Sequence, residues 1–157
     1  KEVALSSFKG RIVILQWINP ECPVCQRVST DGIVAKMLEA AKAAKDDVVH
    51  LPISSSSGAK SADIAKYLAD HKVEAKGLMD GDGKVGHSYG AKTTPHMFVI
   101  DDKGVLRYAG AIDDDPDGKK GEKAVNYVVA AVKAIAEGKK VSPETTKSYG
   151  CSIKYAK

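Results

Sequence analysis

Two cysteines separated by two residues, Cys22-Pro23-Val24-Cys25, stand where an apolar run gives way to a helical pattern. Residues 12–18 read as a buried strand, and Asn19-Pro20-Glu21 turns the chain out of it. Pro23 then falls in the first helical turn, where its missing N–H costs nothing. Cys22 is therefore expected at the helix N-terminus, where unpaired backbone N–H groups and the helix dipole favour a thiolate. Cys25 follows one turn along, close enough to close a small disulfide ring. The pattern fixes a strand, a turn and a helix, and it points to redox chemistry.

Other uses of paired cysteines fit less well. A zinc site usually needs four protein ligands, often as a second close-spaced pair. Here the third cysteine is Cys151, and His50, His71, His87 and His96 are scattered. No metal and no cofactor is expected. A c-type haem attachment needs histidine directly after the second cysteine, and Gln26 stands there. A purely structural disulfide across so few residues would close little loop entropy.

The chain has 157 residues, 43% of them hydrophobic and 28% charged, which suits one ordinary domain with its own core. Its net charge of +4 is dispersed among interleaved acids, so nucleic acid is not an expected partner. No apolar stretch approaches ~20 residues, so no transmembrane segment is expected. The first residue is Lys1 rather than methionine, which together with the family resemblance described below leads to the expectation of a removed leader and an extracytoplasmic location, periplasmic or secreted, with a cytoplasmic one as the alternative. With three cysteines, one thiol is left over in any intramolecular pairing.

Along the chain, an extended lead-in from Val3 precedes the first strand. Apolar residues then recur at helical spacing from Pro23 to Ala44, with Asp31-Gly32 as a kink or restart. A second strand is expected at 48–53, a helix at 61–70 capped by Ser61 and Asp63, and a short strand at Leu78-Met79. Residues 97–100 and 105–109 flank Asp101-Asp102-Lys103-Gly104, a hairpin signal. A last helix is expected from about Gly121 to Glu137. The order β-α-β-α-(β)-β-β-α implies an α/β fold, a central mixed sheet with helices on both faces. Residues 1–138 form the expected domain, and 139–157 a tail, packed on it or extending from it, that carries Cys151.

Thr93-Thr94-Pro95-His96 precedes a buried strand, and proline belongs at such a strand's start. The C-x-x-C after the first buried strand, combined with Thr94-Pro95 before the hairpin strand, resembles the thioredoxin superfamily. Leu5-Ser6-Ser7-Phe8-Lys9-Gly10-Arg11 is similar to its redoxin branch, which includes TlpA-like oxidoreductases and the peroxiredoxins related to AhpC/TSA. Asn19-Pro20-Glu21-Cys22-Pro23, the run 89–101 and Tyr149-Gly150-Cys151-Ser152-Ile153-Lys154-Tyr155 resemble a bacterial redoxin-domain subgroup. The resemblance implies a thioredoxin fold and a cis Thr94-Pro95 bond packed against the cysteines. It also implies a substrate polypeptide bound along Thr94, Pro95 and Trp17. The implied activity is thiol–disulfide exchange on protein disulfides, with Cys22 as nucleophile, Cys25 as resolving thiol, and a thiol protein as redox partner. Thioredoxins bury an acid behind the cysteines; this strand offers Gln16, leaving Gln16, Glu21 or water as the proton relay.

Two alternatives remain at this stage. A thiol peroxidase is disfavoured because the peroxiredoxin pattern Pro-x-x-x-Thr/Ser-x-x-Cys fits neither Cys22 nor Cys25. A Cu(I)-binding module would use Cys22, Cys25 and His96, but a hydrogen-bonded strand histidine is the simpler reading of His96. The runs Asp80-Gly81-Asp82-Gly83 and 113–118 lack the twelve-residue calcium loop and read as solvated turns. Cys151 is either an apolar thiol or a third redox thiol, and oxidation is expected to pair Cys22 with Cys25 and leave it free. The Cys22 pKa is expected at roughly 6–7.5, with Glu21 opposing the fall.

Overall fold

A computed structural model describes residues 1–157. Strand β1, Val13–Trp17, is buried along its whole length and lies at the centre of a five-stranded mixed sheet. The sheet order is β3-β2-β1-β5-β6, with β2 at Val49–Ser54, β3 at Leu78–Met79, β5 at His96–Ile100 and β6 at Leu106–Gly110. β2 runs parallel to β1, and β5 runs antiparallel to it. A strand buried on both faces needs a nearly continuous apolar run, which residues 12–18 supply except at Gln16, whose buried amide is hydrogen-bonded to His50.

Alternation along β1 sorts the core into two layers. Ile12 and Ile14 meet Val28 of α1 (Pro23–Thr30), Val34 and Met37 of α2 (Ile33–Ala44) and Val128 and Val132 of α5 (Tyr127–Ala136). Ile18 continues this layer into a cluster with Cys22, Cys25 and Ile64, Tyr67 and Leu68 of α3 (Ser61–Asp70). Val13, Leu15 and Trp17 face the other way, toward Phe98, Ile100, Ala91 and Tyr89 of α4 (Lys84–Tyr89). This is the α/β mixed-sheet architecture expected of the thioredoxin fold.

Local chemistry sets the breaks. Gly32, at φ 75°, divides α1 from α2 in the left-handed conformation that favours glycine. The last helix is shorter than its apolar period suggests. Residues 121–123 form a single 3₁₀ turn, and Ala124 is extended. Tyr127 N–H donates to the Ile112 carbonyl, and Asn126 caps α5 by accepting from Val129 N–H at 3.0 Å. The cap and the pairing of 124–126 with 112–114 override the helical periodicity there. The lead-in contains a 3₁₀ turn, Leu5–Phe8, where an extended segment was expected.

The aspartate runs differ from solvated turns. Asp80, Asp113 and Asp115 are buried. Asp115 accepts from the N–H groups of Lys119 and Lys120, and Asp80 from those of Val85 and Gly86. These carboxylates satisfy loop and helix-start donors that burial would otherwise orphan.

The tail runs along the body. Glu144 and Thr146 bond the Ala109 backbone on the outer edge of β6. Tyr149 OH donates to Asp113, and Tyr155 OH donates to the Ala91 carbonyl at 2.7 Å while its ring stacks on His87. Between these anchors, β7 (Cys151–Ser152) pairs antiparallel with β4 (Thr93–Thr94).

Candidate active site

Cys22 is the N-cap of α1, with Pro23 behind it, and its carbonyl accepts from Gln26 N–H at 3.0 Å. The sequence therefore places its sulfur where the helix dipole and free N–H groups act on it. Thr94-Pro95 is a cis peptide. The Thr94 carbonyl lies 3.1 Å from the Cys22 sulfur and accepts from it when Cys22 is a thiol. Cys25, one turn deeper, is fully buried against α3.

The third cysteine arrives from the other end of the chain. Cys151 stands opposite Thr94 in the β4–β7 pair, and Thr94 Oγ1 donates to its carbonyl at 3.4 Å. Ile153 N–H donates to the Lys92 carbonyl at 3.0 Å, extending the contact. Gly150 makes the approach possible: at φ 133°, a Cβ there would lie 2.1 Å from the Thr94 oxygen. Three thiols thus converge beside one cis-proline.

Their environments push their acidities apart. The Cys22 pKa falls to about 4. Its strongest support is the Cys25 thiol, acting against the cost of burial, with further hydrogen bonds from the Cys151 thiol, Cys25 N–H and the Thr94 side chain. Cys25 moves well above the ordinary thiol range, because burial and the neighbouring Cys22 charge both disfavour a second thiolate. Cys151 also moves up, through burial and its bond to Cys22. The fall at Cys22 is deeper than its sequence neighbours imply. The extra donors come from Thr94 and Cys151, both remote in sequence, and Glu21 is exposed and not among the groups that move the sulfur.

The remaining candidates are dispersed. Trp17 is fully buried on the opposite face of the sheet, its ring edge-on to Phe98. Its indole N–H donates to Ser55 Oγ at 2.8 Å, and Ser55 donates to Asp80 at 2.6 Å. It has no surface to offer a substrate; its place is in the core. Gln16 is buried on the cysteine side, and its Oε1 accepts from His50 Nε2 at 2.8 Å. Glu21 shares no hydrogen bond with either cysteine. His96 accepts from Lys92 N–H through Nδ1 at 3.0 Å, with its ring stacked on Phe98 and turned to the Trp17 face. That is the hydrogen-bonded strand histidine, away from the cysteine cluster.

Tyr67 is the residue that sequence reasoning passed over. Its OH donates to the Cys25 carbonyl at 3.0 Å and shares a 2.6 Å bond with Ser29 Oγ, fixing α3 against both ends of α1. Burial and the nearby Cys25 push its pKa up, so it remains a phenol beside the thiols. The apolar stripe Ile64, Tyr67 and Leu68 marks it only as core.

A β1–α1 junction carrying the thiol pair, a cis-proline before β5 and this strand order define a thioredoxin-like protein. The Redoxin family profile matches residues 1–128, and the chain belongs to the Redoxin family, a group of thioredoxin-like oxidoreductases. An uncharacterised conserved protein from Geobacillus kaustophilus is 24% identical with a TM-score of 0.83, covering 98% of this chain and 82% of that one. A hypothetical protein from Sinorhizobium meliloti is 23% identical with a TM-score of 0.81, covering 97% and 84%. These two share the fold, tail included. A putative thiol:disulfide interchange protein DsbE from Chlorobium tepidum is 26% identical with a TM-score of 0.56, covering 68% of this chain and 72% of that one. No curated protein sequence matches. No helix is long and apolar enough to cross a membrane.

Proposed function

We propose that this redoxin is a thiol–disulfide oxidoreductase acting on protein disulfides through a Cys22–Cys25 redox pair. The observation that carries the reading is the pairing of Cys22, at the helix start and beside cis-Pro95, with a fully buried Cys25 one turn behind it. Two identical groups pushed apart in acidity divide the roles between them. The Cys22 thiolate attacks a substrate disulfide sulfur and forms a mixed disulfide. Cys25, losing its proton as it attacks, displaces the substrate thiol and leaves Cys22–Cys25 oxidised. The Thr94 backbone and Pro95 line the site at which the substrate sulfur must arrive, and β7, which covers it, has to move aside for that step. A thiol protein is the natural redox partner, and an extracytoplasmic compartment is where such a pair would stay oxidised.

Dithiothreitol-driven insulin reduction tests this. Cys22→Ser is expected to abolish turnover, and the double variant Cys25→Ser/Cys151→Ser to accumulate mixed disulfides on Cys22. Wild-type turnover in Cys22→Ser would make another group the nucleophile.

A further inference from the structure

Cys22 and Cys25 are both hidden, at 2% and 0% exposure, while Cys151 is partly exposed. The cysteine with surface open to outside molecules is thus the one the pair reading leaves idle. Cys151 is also no loose tail thiol. Tyr149 and Tyr155 pin its flanks, Gly150 removes the side chain that would hold it off, and the β4 pairing directs it into the Cys22 cluster.

We propose that Cys151 is a third redox thiol that takes the disulfide from the buried pair, as Cys22–Cys151, and presents it to external thiols at the surface. The proposal rests on Cys22–Cys25 being the redox pair. Starting from that disulfide, Cys151 gives up its proton and attacks the Cys22 sulfur. The Cys22–Cys25 bond breaks, and Cys25 takes the proton, as burial of its sulfur requires. No electrons leave the protein in this exchange.

An external thiolate, from a protein or a small thiol, then attacks the Cys151 sulfur. The Cys22–Cys151 bond breaks and Cys22 leaves as a thiolate. Of the three sulfurs it is the best leaving group, since a low-pKa thiol departs fastest. A second external thiol attacks the first at Cys151, releases an external disulfide and returns Cys151 as a thiol. Two electrons pass from the two external thiols to the pair.

β7 explains why this path suits the molecule. It occupies the edge of β4 beside Pro95, with its own cysteine where an incoming chain would have to bring one. The tail is an internal occupant of that groove. Cys22–Cys25 remains the resting disulfide, and Cys22–Cys151 is the form in which it is discharged.

The test uses the full-length protein with glutathione as the external thiol. Cys25→Ser, oxidised and then mapped by peptide mass after acid quenching, is expected to contain an intramolecular Cys22–Cys151 bond and no free thiol. Glutathione on Cys22 with Cys151 free would overturn the proposal. In oxidised wild type mixed with reduced glutathione, the first adduct is expected on Cys151, and Cys151→Ser is expected to slow discharge at least tenfold. A first adduct on Cys22, or an unchanged rate, would also overturn it. Formation of Cys22–Cys25 in wild type separates the two ideas. If it forms while Cys151 takes no part, only the relay fails; if it does not form, the redox pair itself is wrong.

Discussion

His50 Nε2 donates to Gln16 Oε1 at 2.8 Å, leaving His50 Nδ1 buried without a partner. Burial, reinforced by Lys42, lowers the His50 pKa to about 4, and burial with Lys92 does the same for His96. Unfolded histidine protonates near ~6.5, so below that pH the unfolded chain binds more protons and the fold loses stability. The oxidised protein is predicted to weaken from about pH 6.5 down to about 4, by up to roughly 1.4 kcal/mol per pH unit for each histidine. His50→Gln should remove about half of that slope. Urea unfolding across this range measures it, and a flat profile would mean the histidines titrate normally. Oxidised protein is specified because a Cys22 thiolate adds its own rise in stability from about pH 4 to 9 in the reduced form.

The same β1 residues show what was legible in the sequence. Ile12, Ile14 and Trp17 announce a buried strand, and Cys22-Pro23 announces a helix start, because each signal is local. The kink at Gly32 and the hairpin at Asp101–Gly104 are equally local. The site was only half visible, since β4 and β7 are two residues each and carry no period. Their pairing depends on Gly150 meeting the Thr94 backbone, 56 positions away, and no spacing rule reports that. Trp17 misled because alternation puts it on the face away from the cysteines.

Asp80 ties the opposite layer together by accepting from Ser55 Oγ, Val85 N–H and Gly86 N–H. Asp80→Ala would strand these donors in or near the core, each costing about 1–3 kcal/mol when unmet. Water and relaxation will satisfy some of them, so a loss of roughly 3 kcal/mol is predicted. Asp80→Asn should lose less, since its amide oxygen still accepts. Chemical denaturation of the two variants decides it, and equal losses would argue against a hydrogen-bonding role.

Gly150→Ala is predicted to lift β7 from β4. The added Cβ would meet backbone, which cannot rotate away, and φ 133° is strained for alanine. Iodoacetamide should then label Cys22 several-fold faster at a pH where the thiolate is fully formed, because Cys151 no longer covers it. Unchanged labelling would mean that Cys22 is shielded by something other than the tail.

A thiolate held at about 4 favours the reduced form and makes the disulfide oxidising. Thioredoxin, with a pKa of about 7, lies near −270 mV, and DsbA, at about 3.5, near −120 mV. Cys22–Cys25 is therefore predicted toward the oxidising end, between roughly −180 and −120 mV. Cys151→Ala removes one donor to the thiolate. A hydrogen bond to a charged group contributes about 1.5 kcal/mol at the low end, or about one pKa unit. For a two-electron couple that lowers the potential by about 30 mV. Glutathione redox titrations of wild type and Cys151→Ala measure both quantities. A wild-type value near −270 mV would show that the three-thiol cluster does not stabilise the reduced state.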